Sequence, residues 1–420
     1  MTKVGSGYLW VVNSNDFHYD LPEEAIAKHP AEPRRAARMA ILGRDGTLSH
    51  QTFEDLPEAL RREGVDGLWA NDTKVLHARI LASKATGGQL EIFLLAPLSL
   101  PVEESLLARE EVRWTAMVRN AKRWSDGRAT AEGRDHVLNV ERLSDAFDGT
   151  RVVRLTWQAK DSGHANATFG EVLEDLGKTP LPPYMRRPAQ DQDRTDYQTV
   201  FAMTPGSVAA PTAGLHYDAP LLAALAAANC PLHRITLHVG AGTFKPLTEG
   251  KVADHDMHAE RCVMSREALV TMASQHVRVA TGTTTLRTME SMYWWSLHHR
   301  VHGSWPEVLP QRSPYGALAA ESEALSWSDR DALNHILEFA SWDERDEVTF
   351  ETQLMIVPGY TIRMVQGLVT NFHQPGSTLL CLVGAFVGME AWKAMYADCL
   401  EQGYRFLSYG DGSLLWLPQE

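Results

Sequence analysis

GSVAAPTAGLHYDAPLLAALAAANCPLHRITLHVGAGTFKPLTEGKVADHDMHAE, residues 206–260, is the stretch on which the reading of this chain turns. Three polar loops rich in glycine and histidine (residues 209–216, 238–244 and 255–260) are separated by one apolar helix and one apolar strand. Asp218 with Pro220 supplies an N-cap and a first turn for a helix through Ala228. Residues 234–238 then read as a short buried strand. Small residues let a ligand approach backbone amides, and His and Glu can move protons. Such loops at the ends of regular elements are where a chemical site is built.

The same strand-loop-helix unit recurs outward from this stretch. Residues 277–280 form a strand running into GTTTLR, which opens a helix and gathers hydroxyls and free amides at its positive end. Plain N-capping is the alternative reading of those threonines. Residues 364–369 are a strand delivering TNFHQPGS, followed by helices over 379–387 and 392–401 and a last strand over 404–409. Upstream, residues 39–42 and 67–70 are strands with a helix over 53–62 between them, residues 71–74 are a loop, and a short helix covers 23–28. Residues 354–359 read as a further strand, and 293–346 carries one helix near 330–339 and no assigned chemistry. Residues 1–15 read as an irregular extension.

Between residues 76 and 157 the texture changes. Short alternating runs at 90–95, 114–118, 136–140 and 151–157, broken by Gly, Asp, Pro and Ser turns, predict an antiparallel sheet or small barrel. Helix and strand alternation resumes afterwards, with a helix from Thr168 through Leu176 and an extended, proline-held segment at 181–188. The expected fold is therefore an α/β main domain (1–75 and 160–420) with an inserted antiparallel β-barrel domain (76–159). Ligands in such sheets sit outside the carboxyl ends of the strands.

Composition narrows the function classes. With 420 residues, 44% hydrophobic and 22% charged, the chain can bury a large core. Its longest apolar run, residues 379–389, is too short for a membrane span, and no secretory signal is evident. Four cysteines without a C-x-x-C pair read as reduced structural thiols, so a cytoplasmic location is expected. The net charge of −13 argues against indiscriminate nucleic-acid binding yet leaves room for a local basic face.

Three familiar chemistries fit poorly. HVGAG lacks the third glycine and the helix start of a dinucleotide fingerprint. His255, His258 and Glu260 have metal-like spacing but no Glu between the histidines, so proton transfer or hydrogen bonding is favoured and no metal is expected. No G-x-S-x-G elbow supports a serine hydrolase.

Taken in order, AAPTAGLHY, TLHVGAGTFKP, HDMHAE, TGTTTLRTMES, LVTNFHQPGSTLL and YRFLSYGD resemble the S-adenosylmethionine:tRNA ribosyltransferase-isomerase (QueA) family of the queuosine pathway. DFHYDLPEEAIAKHP, NDTKVLHARI, TGGQLEIFLL and LPPYMRRP with DYQTVFA extend the resemblance over about three quarters of the chain. It implies an α/β domain with an inserted barrel. It also implies an enzyme moving the ribosyl part of S-adenosylmethionine onto 7-aminomethyl-7-deazaguanine at the tRNA wobble position, with isomerisation. Epoxyqueuosine-tRNA, adenine and methionine are the products, S-adenosylmethionine is consumed as a co-substrate, and no further cofactor is implied. A monomer is expected.

The chemistry requires a proton to leave the carbon beside the sulfonium, adenine to depart and the base's amine to attack, which calls for an acid and a base near neutral pH. On this resemblance His216, His238, His255, His258, Glu260 and His373 surround the reacting centre. Thr212, Gly240, Gly242, Thr283, Thr284, Thr285, Arg287 and Asn371 hold substrate. Arg34, Arg38, Lys74, Arg79, Arg186 and Arg187 are the candidates for tRNA phosphates. Departures from the family pattern are GDGSLL at 410–415, Lys74 where Arg is common, and a long 293–346 region. Two rival readings stay open: a relative using the same donor on another acceptor, and a catalytically silent RNA-binding protein.

Overall fold

Strand-forming runs of two textures separate into two sheets. The computed structural model of the chain describes residues 12–121, 124, 127–145, 149–240, 242, 247 and 250–419. In chain order the strands are β1 (Arg38–Leu42), β2 (Leu48–Thr52), β3 (Gly67–Asn71), β4 (Thr73–Val75), β5 (Arg79–Ser83), β6 (Gln89–Pro97), β7 (Glu111–Arg119), β8 (Arg128–Glu132) and β9 (His136–Asp145). They continue with β10 (Arg151–Ala159), β11 (Thr204–Ser207), β12 (Leu232–Leu237), β13 (Glu260–Ser265), β14 (Arg278–Thr281), β15 (Val308–Leu309), β16 (Glu347–Thr352), β17 (Gly367–Asn371) and β18 (Gly412–Trp416).

Ten strands form the main sheet in the order β15-β16-β13-β12-β3-β14-β17-β18-β1-β2. Its centre, β12-β3-β14-β17, is parallel, with Leu68 opposite Leu232 on one side and Val279 on the other. Every residue of β3, β14, β17 and β18 is buried, because helices cover both faces, and this is why the first three read as apolar runs without alternation. The long helix α1 (Thr283–His302) begins at the end of β14, and α2 (Thr378–Val387) and α3 (Met389–Glu401) follow β17. Trp294, Trp392, Phe372 and Met289 fill the core between them.

The second sheet closes as a barrel, β10-β7-β6-β5-β8-β9. Alternation now appears in the burial: Leu90, Ile92 and Leu94 of β6 point inward with Trp114, Leu138 and Val140. One end is plugged by Phe169, Val172 and Leu173 of the helix Phe169–Leu176, whose start is fixed by a Thr168–Glu171 capping box. The α/β architecture with an inserted antiparallel barrel is the expected fold class.

Local expectations fare unevenly. The helix after Asp218 spans Ala219–Ala227, with the Asp218 carboxylate accepting from the Leu221 amide at 3.0 Å. Residues 71–74 are not one loop. Asn71 closes β3, and Thr73–Val75 forms a short strand against β11, opposite residues the apolar pattern gave no reason to pair. Residues 354–358 are buried without being a strand: the Val357 amide donates to the Tyr315 hydroxyl and the Leu354 amide to Thr352 Oγ1, so no neighbouring strand receives them. The strand lies just upstream, at β16. Residues 404–409 likewise turn instead of extending, with Leu407 at φ +69° and the Gly410 amide bonded to the Leu407 carbonyl, and the last strand is β18. Residues 1–11 of the expected extension lie outside the described residues. Residues 12–15 clasp the turn at 250–252, through Ser14 N to Gly250 O at 2.9 Å and Val252 N to Val12 O at 3.1 Å. The four cysteines are buried and free. Among the described residues no single helix is long and apolar enough to cross a membrane.

Candidate active site

The loops leaving the carboxyl ends of β3, β12, β14 and β17 meet at one edge of the main sheet, and β13 begins there because it runs antiparallel to β12. Two adjoining clefts open at this edge and share Thr283, Thr284 and Leu379 as their common wall. The first, about 980 Å³ and open to solvent, is lined by Thr212, Asn371, His373, Tyr184, Tyr197 and Ser377 among others. The second, about 660 Å³, carries Gly242, His255, His258, Glu260 and Arg287 on a floor of Leu354, Met355 and Leu382.

Helix α1 aims its N-terminus into the shared wall. Gly282 sits at φ +91°, a backbone conformation that an L side chain rarely adopts, and this lets β14 turn directly into the helix. The helix end presents Thr283 and Thr284 with a partial positive charge. Thr285 does not reach either cleft: its hydroxyl donates to the Thr281 carbonyl at 2.6 Å, one turn back inside the core.

Glu260 and Arg287 form the charged centre of the second cleft. Glu260 Oε2 is paired with the Arg287 guanidinium, and Oε1 accepts from the Gly240 amide at 3.1 Å. Arg287 also donates to the Leu354 and Thr352 carbonyls, both at 2.9 Å. One carboxylate thus ties the glycine loop after β12 to α1. Gly242 faces His258 so closely that a Cβ there would lie 2.3 Å from His258 Cδ2. Residues 241 and 243–246 of this loop, including Lys245 and Pro246, lie outside the described residues.

The five loop histidines do not share one pocket. His255 and His258 line the second cleft and His373 the first. His216 lies behind the wall, stacked on Phe53 at 4.1 Å, with its Nε2 at 3.0 Å from Asn371 Nδ2. Burial, then the Arg405 and Arg34 charges, push its pKa down to about 3. Burial does the same to His373, also down to about 3, with Nε2 at 2.9 Å from Thr370 Oγ1. His238 turns away from both clefts: Nδ1 meets Thr73 Oγ1 of β4 at 3.1 Å and, on the barrel side, Nε2 meets Glu103 at 3.3 Å. Glu103, on the helix Val102–Leu107 between β6 and β7, also takes the Arg261 guanidinium at 2.8 Å. Burial pushes the Glu103 carboxyl up, but the His238 hydrogen bond, its own backbone and Arg261 outweigh it and bring it down to about 2.

His255, His258 and Glu260 do not bring three candidate ligand atoms together. Among the described residues the one group that brings three candidate ligand atoms together is His50, Asp398 and Cys399, on β2 and α3.

The six basic candidates divide by engagement. Arg34 donates to the Gln198 and Thr195 carbonyls at 2.9 and 2.7 Å, and Arg187 grips Asp193 with two 2.7 Å bonds. Arg38 lies over the Tyr404 ring at 3.8 Å, and Arg79 pairs with Glu91. Lys74 is exposed, and Arg186 is exposed with Glu23 at 3.0 Å.

Sequence reasoning passed over several residues here. Tyr184 and Tyr197 stood within the quoted PPYMRRP and DYQTVFA segments, and a tyrosine amid prolines and polar residues was the available signal. Gln311 had none. Its Nε2 donates to the His255 carbonyl at 2.6 Å and its Oε1 accepts from the Met257 amide at 2.9 Å, so the 293–346 region buttresses the histidine loop. Arg312 adds a bond to the Ala253 carbonyl at 2.6 Å.

A model of the family described as queuosine biosynthesis protein matches residues 14–415. An S-adenosylmethionine:tRNA ribosyltransferase-isomerase of Anaeromyxobacter sp. (strain Fw109-5) is 37% identical over 406 residues, 96% of this chain and 98% of that protein. Another, of Rhodopseudomonas palustris (strain BisB5), is 38% identical over 417 residues, 95% of this chain and 97% of that protein. A solved structure of S-adenosylmethionine tRNA ribosyltransferase from Thermotoga maritima is 24% identical and covers 95% of this chain and 99% of that one. Its TM-score of 0.44 is too low to bear on the fold.

Proposed function

The chain belongs to the queuosine biosynthesis protein family, and from that membership we propose that it acts as an S-adenosylmethionine:tRNA ribosyltransferase-isomerase. It transfers and isomerises the ribosyl part of S-adenosylmethionine onto 7-aminomethyl-7-deazaguanine at the tRNA wobble position, giving epoxyqueuosine-tRNA, adenine and methionine. The observation that carries this reading is the 37–38% identity, over nearly the full length, to proteins of that name. A double cleft at the strand ends, holding acid, base and anion-binding groups side by side, is consistent with it.

In this reading the second cleft takes the sulfonium end of the donor. Its apolar floor suits the methionyl chain, and the Glu260 carboxylate offsets the sulfonium charge. The N-terminus of α1, with Thr283 and Thr284, suits the methionyl carboxylate. Thr212 and Asn371 hold the part of the substrates that enters the first cleft. His258, exposed at the cleft and packed on Gly242, is the base that removes the proton beside sulfur. Departing adenine and the incoming amine then exchange a proton with His255 or the solvent. His216 and His373 are neutral at pH 7 and serve as hydrogen-bonding groups, while His238 holds the barrel against the main sheet.

The division of labour follows the domains: residues 1–75 and 160–420 carry the chemistry, and 76–159 helps to seat the tRNA. Lys74 and Arg186 are available to phosphates, and Arg34, Arg38, Arg79 and Arg187 set the positive potential around them. S-adenosylmethionine is consumed, no cofactor is required, and the enzyme works as a cytoplasmic monomer.

Incubating the chain with S-adenosylmethionine and tRNA bearing the aminomethyl base should release adenine and add mass to the tRNA. Adenine release with another acceptor alone points to a relative of changed specificity, and tRNA binding without turnover to a silent RNA-binding protein.

A further inference from the structure

Three buried polar atoms without a hydrogen-bond partner of normal geometry belong to residues lining the first cleft: Asn371 Oδ1, the Tyr197 hydroxyl and Ser377 Oγ. Asn371 and Tyr197 are only 2% and 1% exposed, so solvent does not routinely satisfy them. A buried donor or acceptor left alone is costly, and three around one cleft mark a place built for a polar ligand.

The orientation of the Asn371 amide is fixed by chemistry. Its Nδ2 lies 3.3 Å from the Leu407 carbonyl, which can only accept, so the atom facing Leu407 must be the nitrogen. The same nitrogen lies 3.0 Å from His216 Nε2. That ring atom must therefore accept too, which requires a neutral imidazole with its proton on Nδ1. Stacking on Phe53 and complete burial hold His216 in this form. With both amide protons spent, Oδ1 remains as an acceptor for an N–H donor of the ligand.

Which ligand is decided by the cleft's other wall. Tyr184 lines the first cleft, while its neighbours Leu181, Pro182, Pro183 and Arg186 line a groove on the other side of the same segment, between barrel and main domain. Five cationic side chains and one carboxylate line that groove. The second groove beside the barrel, past Lys74 and Arg109, is lined by three cations and four carboxylates. Of the five, Arg119, Lys178 and Arg186 are 77%, 46% and 66% exposed in surface pairs with Glu91, Asp191 and Glu23. Such pairs are weak and give way readily to phosphate. A strand of RNA with its backbone in this groove can turn one base past Tyr184 into the cleft.

We propose that Asn371 Oδ1, aimed by His216, accepts a hydrogen bond from the N–H edge of the RNA's guanine-like base. His216 is thereby a positioning residue, and the hydroxyls of Tyr197 and Ser377 complete the recognition of that base. A guanine-type edge offers N–H donors beside a carbonyl acceptor, which suits one fixed acceptor and two rotatable hydroxyls.

This inference rests on the proposed transferase reading, so the wild-type chain is assayed first. No adenine from it with tRNA bearing the aminomethyl base removes both. Given turnover, Asn371→Ala should raise KM for that tRNA roughly ten- to a hundredfold and leave KM for S-adenosylmethionine within about twofold. Tyr197→Phe removes the hydroxyl together with its loose contacts to the Ala210 backbone and Ser408, so it should raise KM for tRNA about threefold or more with little change in melting temperature. His216→Leu should behave like Asn371→Ala. His216→Gln, whose Oε1 can accept the same amide proton, should restore KM to within about threefold and keep the wild-type pH profile. The inference is overturned if Asn371→Ala or Tyr197→Phe raises KM for S-adenosylmethionine and not for tRNA. Loss of turnover in His216→Gln comparable to that in His216→Leu overturns it equally, since that would make the imidazole itself the reacting group.

Discussion

At the scale of single residues, the second cleft depends on a contact that only glycine allows. His258 packs where a Cβ on residue 242 would stand, so Gly242→Ala must displace the imidazole or the loop. With His258 as the base, His258→Ala should lower kcat by two orders of magnitude or more, a typical contribution of a positioned base. Its melting temperature should stay close to wild type, because the side chain is exposed. Near-normal turnover in a folded His258→Ala chain would exclude this residue from the chemistry. Gly242→Ala should give a smaller loss of the same kind, read as kcat falling with KM for S-adenosylmethionine little changed. The residue types at this site were legible in the sequence: loops bearing His, Gly, Thr and Glu were expected to gather, and Thr283, Thr284, Arg287, His255, His258 and His373 do line the clefts. Side-chain direction was not. His238 leaves β12 toward the barrel, and His216 ends a 3-10 turn whose inner face is already core. A loop residue's sequence position carries no periodicity from which either direction could be read.

Elements tell a parallel story. Strands buried on both faces announce themselves as apolar runs, and β3, β14 and β17 stood out for that reason. β16 and β18 did not. EVTFET alternates with charged residues, and GSLLW begins with residues that favour turns, yet both pair fully with neighbours far away in the chain. Long-range pairing overrides local preference here. The 293–346 region was opaque because its role is relational. Ten of its residues simply extend α1, while Gln311 takes two backbone groups of the His255–Met257 turn in a single side-chain amide. Gln311→Ala removes the Gln311 bonds to a carbonyl and an amide of that turn, at about 1–3 kcal/mol if water does not replace them. The expected result is a folded chain whose kcat drops several-fold and whose histidine loop exchanges amide hydrogens faster. Gln311→Glu keeps the acceptor for Met257 and loses the donor to His255, so it should fall between the two. Wild-type exchange in the Gln311→Ala chain would mean that the loop is held by something else.

For the whole molecule, buried neutral histidines make stability depend on pH. His373 titrates near 6.5 when the chain is unfolded and near 3 when folded, because burial disfavours the imidazolium. Below pH 6.5 the unfolded chain therefore binds a proton that the folded chain refuses, and folding loses free energy as pH falls. The contribution is complete above 6.5 and disappears progressively down to about 3. At pH 5 the loss is about 2 kcal/mol for this one ring. His216 acts in the same direction, with His233, His299 and His335 also shifted down by burial. Asp72 and Glu290, whose carboxyls burial pushes up, act in the opposite direction, so the wild-type curve alone cannot isolate one group. A difference measurement can. His373→Gln lacks the titrating ring, so its stability deficit relative to wild type, measured by urea unfolding, should shrink by about 2 kcal/mol between pH 7.5 and pH 5. A deficit that stays constant across that interval would show that His373 accepts its proton in the folded chain, and that the ring is open to acid–base work at neutral pH after all.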